Sequence, residues 1–308
     1  MSISTPVAVD VSKATLEVKT ETFSCIVSND KKGLRGLLKK IKELESPLVV
    51  CEATGGYERL LLSTMHTEGI AVCRANPTRI RAFARSEGVL AKTDKLDAQI
   101  ILRFAQEKKL RLLTPPDPVR EELCNLLNRR SQLLTMATEE KNRLQNHPES
   151  LHTSIKRILK SIEKEIERIE KQIEQLVYSN EHLSAQVKCL KQIKGIGNVC
   201  ALSVLAYLGE IEHLKRNQLV ALAGLAPYNR DSGVFRGKRK IIGGRGKVRM
   251  ALYMATQSAA VHNPVIREYV GGLRERGKPY KVAIVAGMRK LLIHMQSELK
   301  KVNLELAA

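Results

Sequence analysis

Three short β-like runs open the chain, at residues 7–11, 15–20 and 23–28, with polar residues between them, the pattern of an antiparallel meander. The spacing then changes. Leu34, Leu37, Leu38, Ile41 and Leu44 recur at intervals of three and four and predict an amphipathic helix. A short apolar run at 48–51 reads as a buried strand that ends on Glu52 and the turn Gly55-Gly56. Strand and helix alternate after that: a helix from residue 57, a strand at 70–74, a helix after Pro77, and another from 93 to 107. Pro115, Pro116 and Pro118 cannot continue a helix and close this mixed α/β region.

Beyond the prolines the pattern is that of long charged helices. The first carries Leu123, Leu127, Leu134 and Leu144, and Pro148 interrupts it. In the second, Ile155, Leu159, Ile162, Ile166, Ile169, Ile173 and Leu176 alternate steps of four and three, a coiled-coil seam with Glu and Lys outside. That seam could close inside the chain as a helical hairpin or between subunits. The remainder reads as small-residue helices around one long basic loop, closing with helices over 282–302. Three parts follow: an α/β domain over 1–114, a helical coiled-coil connector over 119–185, and a mainly helical domain over 190–308.

Composition narrows the partners. Lys and Arg number 52 against 32 Asp and Glu, a net charge of +20 in 308 residues, so polyanions are the natural ligands. Aromatic residues make up 4% and Trp is absent, which leaves Leu and Ile to pack the core. The six cysteines are far apart and form no C-x-x-C pair, so neither a zinc ribbon nor a disulfide framework is indicated and a reducing bacterial cytoplasm fits. No apolar run approaches the ~18 residues of a membrane span, and no apolar signal core opens the chain.

Four carboxylates stand out. Asp10 lies inside the first strand, on the face of Ala8 and Ser12 rather than that of Val7, Val9 and Val11. A carboxylate there is costly to bury unless paired or metal-bound. Glu52 ends the next apolar strand, and Asp94 and Asp97 sit three apart at a helix start, so both point to one face. Singly, each is explained by a strand end, an edge strand or a first helical turn. Together, the order of a meander with a central Asp, a strand ending in Glu and a late helix with two Asp resembles ribonuclease-H-like nucleases. In that arrangement the carboxylates hold one or two Mg2+ ions, which assist phosphodiester cleavage.

A second centre lies near the end. Arg230, Arg236, Lys238, Arg239, Lys240, Arg245, Lys247 and Arg249 crowd a Gly-rich stretch that holds one acid, Asp231. Such density suits phosphate neutralisation, and the glycines allow close backbone approach. Ser232 stands inside this field, where a serine alkoxide would be stabilised. A solvated loop is the simpler reading. Gly195-Ile196-Gly197 between two helices is similar to a helix-hairpin-helix turn whose amides hold a phosphate, or is a plain helix cap.

The ordered motifs Val9-Asp10-Val11-Ser12-Lys13, Cys51-Glu52-Ala53-Thr54-Gly55, Lys92-Thr93-Asp94-Lys95-Leu96-Asp97-Ala98, Leu222-Ala223-Gly224-Leu225-Ala226-Pro227, Asp231-Ser232-Gly233 and Asn263-Pro264 resemble the DEDD transposases of bacterial insertion sequences, the bridge-RNA-guided recombinases. The resemblance implies a RuvC-like amino-terminal domain, a coiled-coil connector and a carboxy-terminal transposase domain. It implies that Asp10, Glu52, Asp94 and Asp97 are the catalytic, Mg2+-binding tetrad, and that Ser232 forms a covalent phosphoserine link with DNA. It further implies donor and target DNA, a structured bridge RNA and a homo-oligomer, dimer or tetramer, as partners. Two other functions compete. An actin-like ATPase normally needs Gly after the first Asp, where Val11 and Ser12 stand here; a non-catalytic RNA- or DNA-binding scaffold explains the charge but not the four acids.

Overall fold

The computed structural model describes residues 4–89, 94–115, 117–229, 231–232, 235–237 and 239–307, of which 94–96, 231–232, 235–236 and 306–307 by backbone alone. The chain forms two compact units, residues 1–115 and 116–308.

In the first unit, β1 (Thr5–Val11), β2 (Thr15–Lys19) and β3 (Ser24–Ser28) pair antiparallel as a meander. Asp30 caps α1 (Lys31–Lys42) by accepting from the Gly33 amide at 2.8 Å. Then come β4 (Pro47–Glu52), α2 (Arg59–Thr67), β5 (Ala71–Ala75), α3 (Pro77–Ser86) and α4 (Asp94–Glu107). The sheet order is β3-β2-β1-β4-β5, with β1, β4 and β5 mutually parallel, so the sheet is mixed and five-stranded.

Strand alternation divides the core between the two faces of this sheet. Val7, Val9, Val11, Val49 and Cys51 pack with Leu34, Leu37 and Ile41 of α1 and Leu61 and Met65 of α2. Ala8, Leu48 and Val50 point the other way, onto Ile80 and Phe83 of α3 and Ile100, Ile101 and Phe104 of α4. Phe83 and Phe104 meet edge to face at 5.6 Å. Both faces are covered, which is why β1 and β4 are apolar on both sides until their last residues.

The second unit is mainly helical. Pro118 does not merely end the preceding region: it occupies the first turn of α5 (Pro118–Asn146), where a missing amide proton costs nothing, and Asp117 caps that helix through the Val119 amide at 3.0 Å. A 3-10 turn (Glu149–Leu151) joins α5 to α6 (His152–Tyr178). The seam closes within the chain as an antiparallel hairpin. Ile155, Leu159 and Ile162 pack on Leu133 and Ala137, and Arg130 pairs with Glu170 at 2.7 Å. Leu133, not the expected Leu134, carries the seam; Leu134 is 40% exposed. The hairpin's base, with Leu123 and Ile173, joins the core built by α7 (Glu181–Gln192), α8 (Asn198–Tyr207) and α9 (Arg216–Leu222).

The stretch read as one long loop is folded into short ladders. Strands β6 (Pro227–Tyr228), β7 (Asp231–Ser232), β8 (Phe235–Arg236) and β9 (Lys240–Ile241) form two antiparallel pairs, β6 with β9 and β7 with β8. Helices α10 (Gly246–His262), α11 (Pro264–Glu275) and α12 (Tyr280–Ala307) complete the unit. Among the described residues no helix is long and apolar enough to cross a membrane.

Candidate functional site

Asp10 and Glu52 stand at the carboxyl ends of neighbouring parallel strands. The register pairs Val9 with Cys51, so the next residues on β1 and β4 are these two acids. Alternation puts Asp10 on the face of Ala8 and Glu52 on the face of Leu48 and Val50, which is the side covered by α4. Both are half-buried.

The direction of α4 brings its first turn to the same end. Near its carboxyl end, Gln106 donates from Nε2 to Glu21 Oε1 at 2.6 Å. Glu21 follows β2 just past Lys19, whose register partner on β1 is Ala8, so this contact lies at the amino end of β1. The helix therefore runs antiparallel to β1. The ~14 Å of helix rise from Gln106 back to Asp97 matches the ~13 Å of strand rise from Pro6 to Asp10. Asp97 is also on the stripe of Ile101 and Phe104, which are buried against the sheet. Asp94 opens α4, and its side chain lies outside the described residues. Among the described residues no three acidic, His or Cys side chains are already gathered tightly enough to hold a metal ion. Among the described residues, Asp10, Glu52 and Asp97 offer carboxylate oxygens at this end, the kind of donor a hard divalent cation takes.

Glu58, which the sequence did not single out, organises the segment after Glu52. It is 3% exposed and sits where the chain enters α2. Its carboxylate accepts from the Gly56 amide at 2.8 Å, the Thr54 amide at 3.3 Å and the Thr54 hydroxyl at 3.2 Å, and lies 3.7 Å from the Arg74 guanidinium. Gly55 and Gly56 have φ of 74° and 119°, which let the backbone fold its amides inward around that carboxylate. Burial pushes the Glu58 carboxyl up, but the backbone and side-chain hydrogen bonds outweigh it and hold it below its usual range. A cleft of about 510 Å³ opens here, lined by Gly55, Gly56, Arg59, Arg74 and Asn76. The only sequence signal for Glu58 was an acid two residues after a Gly-Gly turn, a pattern too common to single out.

The second unit carries the other group of expected residues. Register pairs Asp231 with Arg236 and Ser232 with Phe235, so Ser232 is the last residue of its strand in a short antiparallel pair. The Ser232 and Arg236 side chains lie outside the described residues, as do Arg230 and Lys238 entirely. Arg239 and Lys240 are exposed. Arg245, expected to meet phosphate, has its guanidinium engaged: it donates to both Glu210 carboxylate oxygens at 2.7 Å and to the Tyr207 carbonyl. The Arg245 hydrogen bond is the first cause that brings the Glu210 carboxyl down to about 2. Lys247 donates to Asn128 and lies 5.3 Å above the Tyr207 ring.

The glycines of the basic stretch do something the sequence did not show. A Cβ on Gly244 would meet the Gly224 Cα at 2.3 Å, and one on Gly224 would meet the Gly243 carbonyl oxygen at 2.3 Å. They permit backbone to approach backbone, locking the foot of the ladder to the turn after α9. Gly195 is likewise set by packing: its φ is 97° and a Cβ there would strike the Ala259 Cα of α10 at 2.5 Å. Gly197 caps α8 and has open space around it. The six cysteines are free thiols, and burial pushes Cys51 and Cys200 up to about 12, so neither supplies a thiolate at neutral pH.

Comparison with known proteins fits this inventory. Residues 7–152 match a transposase family model of the DEDD type from IS110 elements, and residues 187–271 match the transposase IS116/IS110/IS902 family. Pilin gene-inverting proteins of Moraxella lacunata and Moraxella bovis are each 27% identical over 304 residues, covering 94% of this chain and 93% of theirs. The transposase for insertion sequence element IS1111A of Coxiella burnetii is 26% identical over 223 residues, 63% of this chain and 60% of that protein. The chain belongs to the IS110 family of DEDD transposases, enzymes of DNA strand transfer.

Proposed function

We propose that the chain cuts and rejoins DNA through a serine-phosphate intermediate, with Asp10, Glu52, Asp94 and Asp97 forming a RuvC-like, Mg2+-binding centre. The observation that carries this reading is the placement of Asp10 and Glu52 on one face at the carboxyl ends of adjacent parallel strands, with the first turn of α4 at that end. The β3-β2-β1-β4-β5 order, with its antiparallel meander and parallel β4 and β5, supports a ribonuclease-H-like unit. Divalent cations bound by these oxygens supply charge stabilisation for the phosphate and the departing oxygen. Arg59 and Arg74, lining the cleft beyond Glu52, orient a neighbouring DNA phosphate.

In the serine step, the Ser232 Oγ bonds to phosphorus as the bond to one bridging oxygen of the phosphodiester breaks. The hydroxyl proton passes to solvent, and the departing strand takes up a proton to end in a hydroxyl. Exposed Arg239 and Lys240 beside the hairpin favour the anionic phosphate. A structured RNA from the same element pairs with the DNA, so that base pairing selects the site, and the active enzyme is a homo-oligomer. The end-to-end match to the Moraxella relatives supports inversion as one outcome of the same strand exchange.

The test is to incubate the chain with the element's DNA ends and flanking transcript in Mg2+, then denature. The native chain gives a protein-DNA adduct that protease releases; Ser232→Ala gives none while still shifting DNA in a native gel. An undiminished adduct from Ser232→Ala removes the serine step. Ends placed in inverted orientation on one plasmid, against ends on two, separate inversion from insertion.

A further inference from the structure

The second unit holds a cleft of about 1090 Å³ beside the β6–β9 pair, whose two strands flank the Ser232-bearing β7–β8 pair in the chain. Its floor is apolar, with Met250, Tyr253 and Met254 from α10 and Val282, Val285 and Met288 from α12. Its rim is cationic: Arg239, Lys240, Arg249, Lys278, Lys281 and Arg289, and none of its described lining side chains is acidic. Met250 and Met254 are each 65% exposed and Val282 is 51% exposed, which is unusual for residues that gain by leaving water. The cleft's volume lies at the top of the ~300–1,000 Å³ range of pockets for compact small ligands.

Met250 and Met254 also line a neighbouring cleft of about 520 Å³ that runs beneath Gly195 and Gly197 and past Lys247 and Arg130. The two clefts adjoin at Met250 and Met254, between the Gly195–Gly197 turn and the β6–β9 pair. The rim needs a regularly charged anion, and the floor needs apolar faces presented between the charges. Duplex DNA hides its base faces inside the stack. A single strand offers both, with phosphates to the rim and unstacked bases to Tyr253 and the polarizable thioethers.

We propose that this groove binds an unpaired DNA strand leading to the phosphodiester at the Ser232 hairpin. The assignment rests on the strand-transfer reading above for its choice of DNA. The phosphates lie along Lys278, Lys281, Arg239 and Lys240, while two or more bases lie against Met250, Tyr253 and Met254. Arg249 is tied back by the Gly243 carbonyl at 2.7 Å and adds its charge from the side. Binding is thus sequence-tolerant and leaves site selection to base pairing.

The test measures binding of the full chain to a short labelled single strand of DNA, to the duplex of the same sequence, and to the RNA version, by fluorescence anisotropy. Replacing both floor residues, Met250→Ala with Met254→Ala, weakens the DNA single strand about tenfold and leaves the duplex nearly unchanged. Lys278→Ala with Lys281→Ala lowers the slope of log K against log salt for single-strand binding by about 1.4. Equal losses on single strand and duplex, no loss, or a loss confined to RNA overturns the proposal. So does a change in self-association, by light scattering, with DNA binding intact, because a second copy then covers the groove. Peroxide footprinting of the native chain needs no variant: the single strand protects Met250 and Met254 from oxidation and leaves the exposed Met136 of α5 reactive. Unprotected methionines in a chain that still forms serine adducts remove the groove alone; protected methionines with adducts surviving Ser232→Ala remove the serine chemistry alone.

Discussion

The Arg245 guanidinium grips the Glu210 carboxylate with two hydrogen bonds of 2.7 Å, tying the start of α10 to the end of α8 just below the basic ladder. This bidentate pair predicts an acid-sensitive ladder. The Glu210 carboxyl falls from an ordinary 4.5 to about 2, so its contribution is complete above 4.5 and is lost as pH falls toward 2. Both groups are partly exposed, so Arg245→Ala costs only about 1 kcal/mol. Denaturant titrations at pH 7 and pH 3 read this: the gap between native and variant narrows at the lower pH, and a constant gap contradicts the pairing.

For the carboxylate end of the sheet, Asp10→Asn and Glu52→Gln each leave the circular dichroism spectrum unchanged while lowering strand cleavage in Mg2+ by at least about a hundredfold. Chelation of divalent cations does the same to the native chain. Calorimetric titration of Mg2+ or Mn2+ separates a binding loss from a folding loss. Cleavage by the variants at native rates would exclude these two acids from the chemistry.

Glu58 supports the segment that follows Glu52 and pairs with Arg74 of β5. Glu58→Gln keeps the shape but weakens the acceptors for Thr54 and Gly56, and should lower stability by about 1–3 kcal/mol. Because the native carboxyl is held below its usual range, the destabilisation is present at neutral pH and fades as pH falls through that depressed value. Thermal melts at pH 7 and pH 4 decide it; a larger deficit at pH 4 would be the wrong sign.

Gly244→Ala should destabilise the second unit by about 1–3 kcal/mol. Its φ is 71°, and the added Cβ would fall 2.1 Å from the Gly224 amide nitrogen. Gly246→Ala, where a Cβ meets nothing within 4 Å, is the control and should be neutral or slightly stabilising. Equal melting temperatures for the two variants would remove the glycine clasp.

Much of the first unit was legible because its signals are local. The β1 alternation assigned Asp10 to the face opposite Val7, Val9 and Val11, and the sheet packs that way. The helices after the prolines were equally plain, but their seam was displaced by one residue from Leu134 to Leu133, since two adjacent leucines give periodicity no reason to prefer either. The basic stretch concealed its ladders because two-residue strands carry no period. Its glycines were open to either reading, since a close approach to phosphate and a close approach to Gly224 ask for the same missing Cβ.

By itself the sequence determined the element types of the first unit, the burial of β4, and the chemical kinds gathered along the chain, because hydrophobic periodicity and residue chemistry act within a few positions. Tertiary structure alone decided that the helical seam closes internally, that Arg245 is taken by Glu210, that Glu58 holds the turn after Glu52, and that exposed methionines line a cationic groove. Each of these depends on which distant surfaces meet, a matter of backbone path and packing that no local pattern encodes.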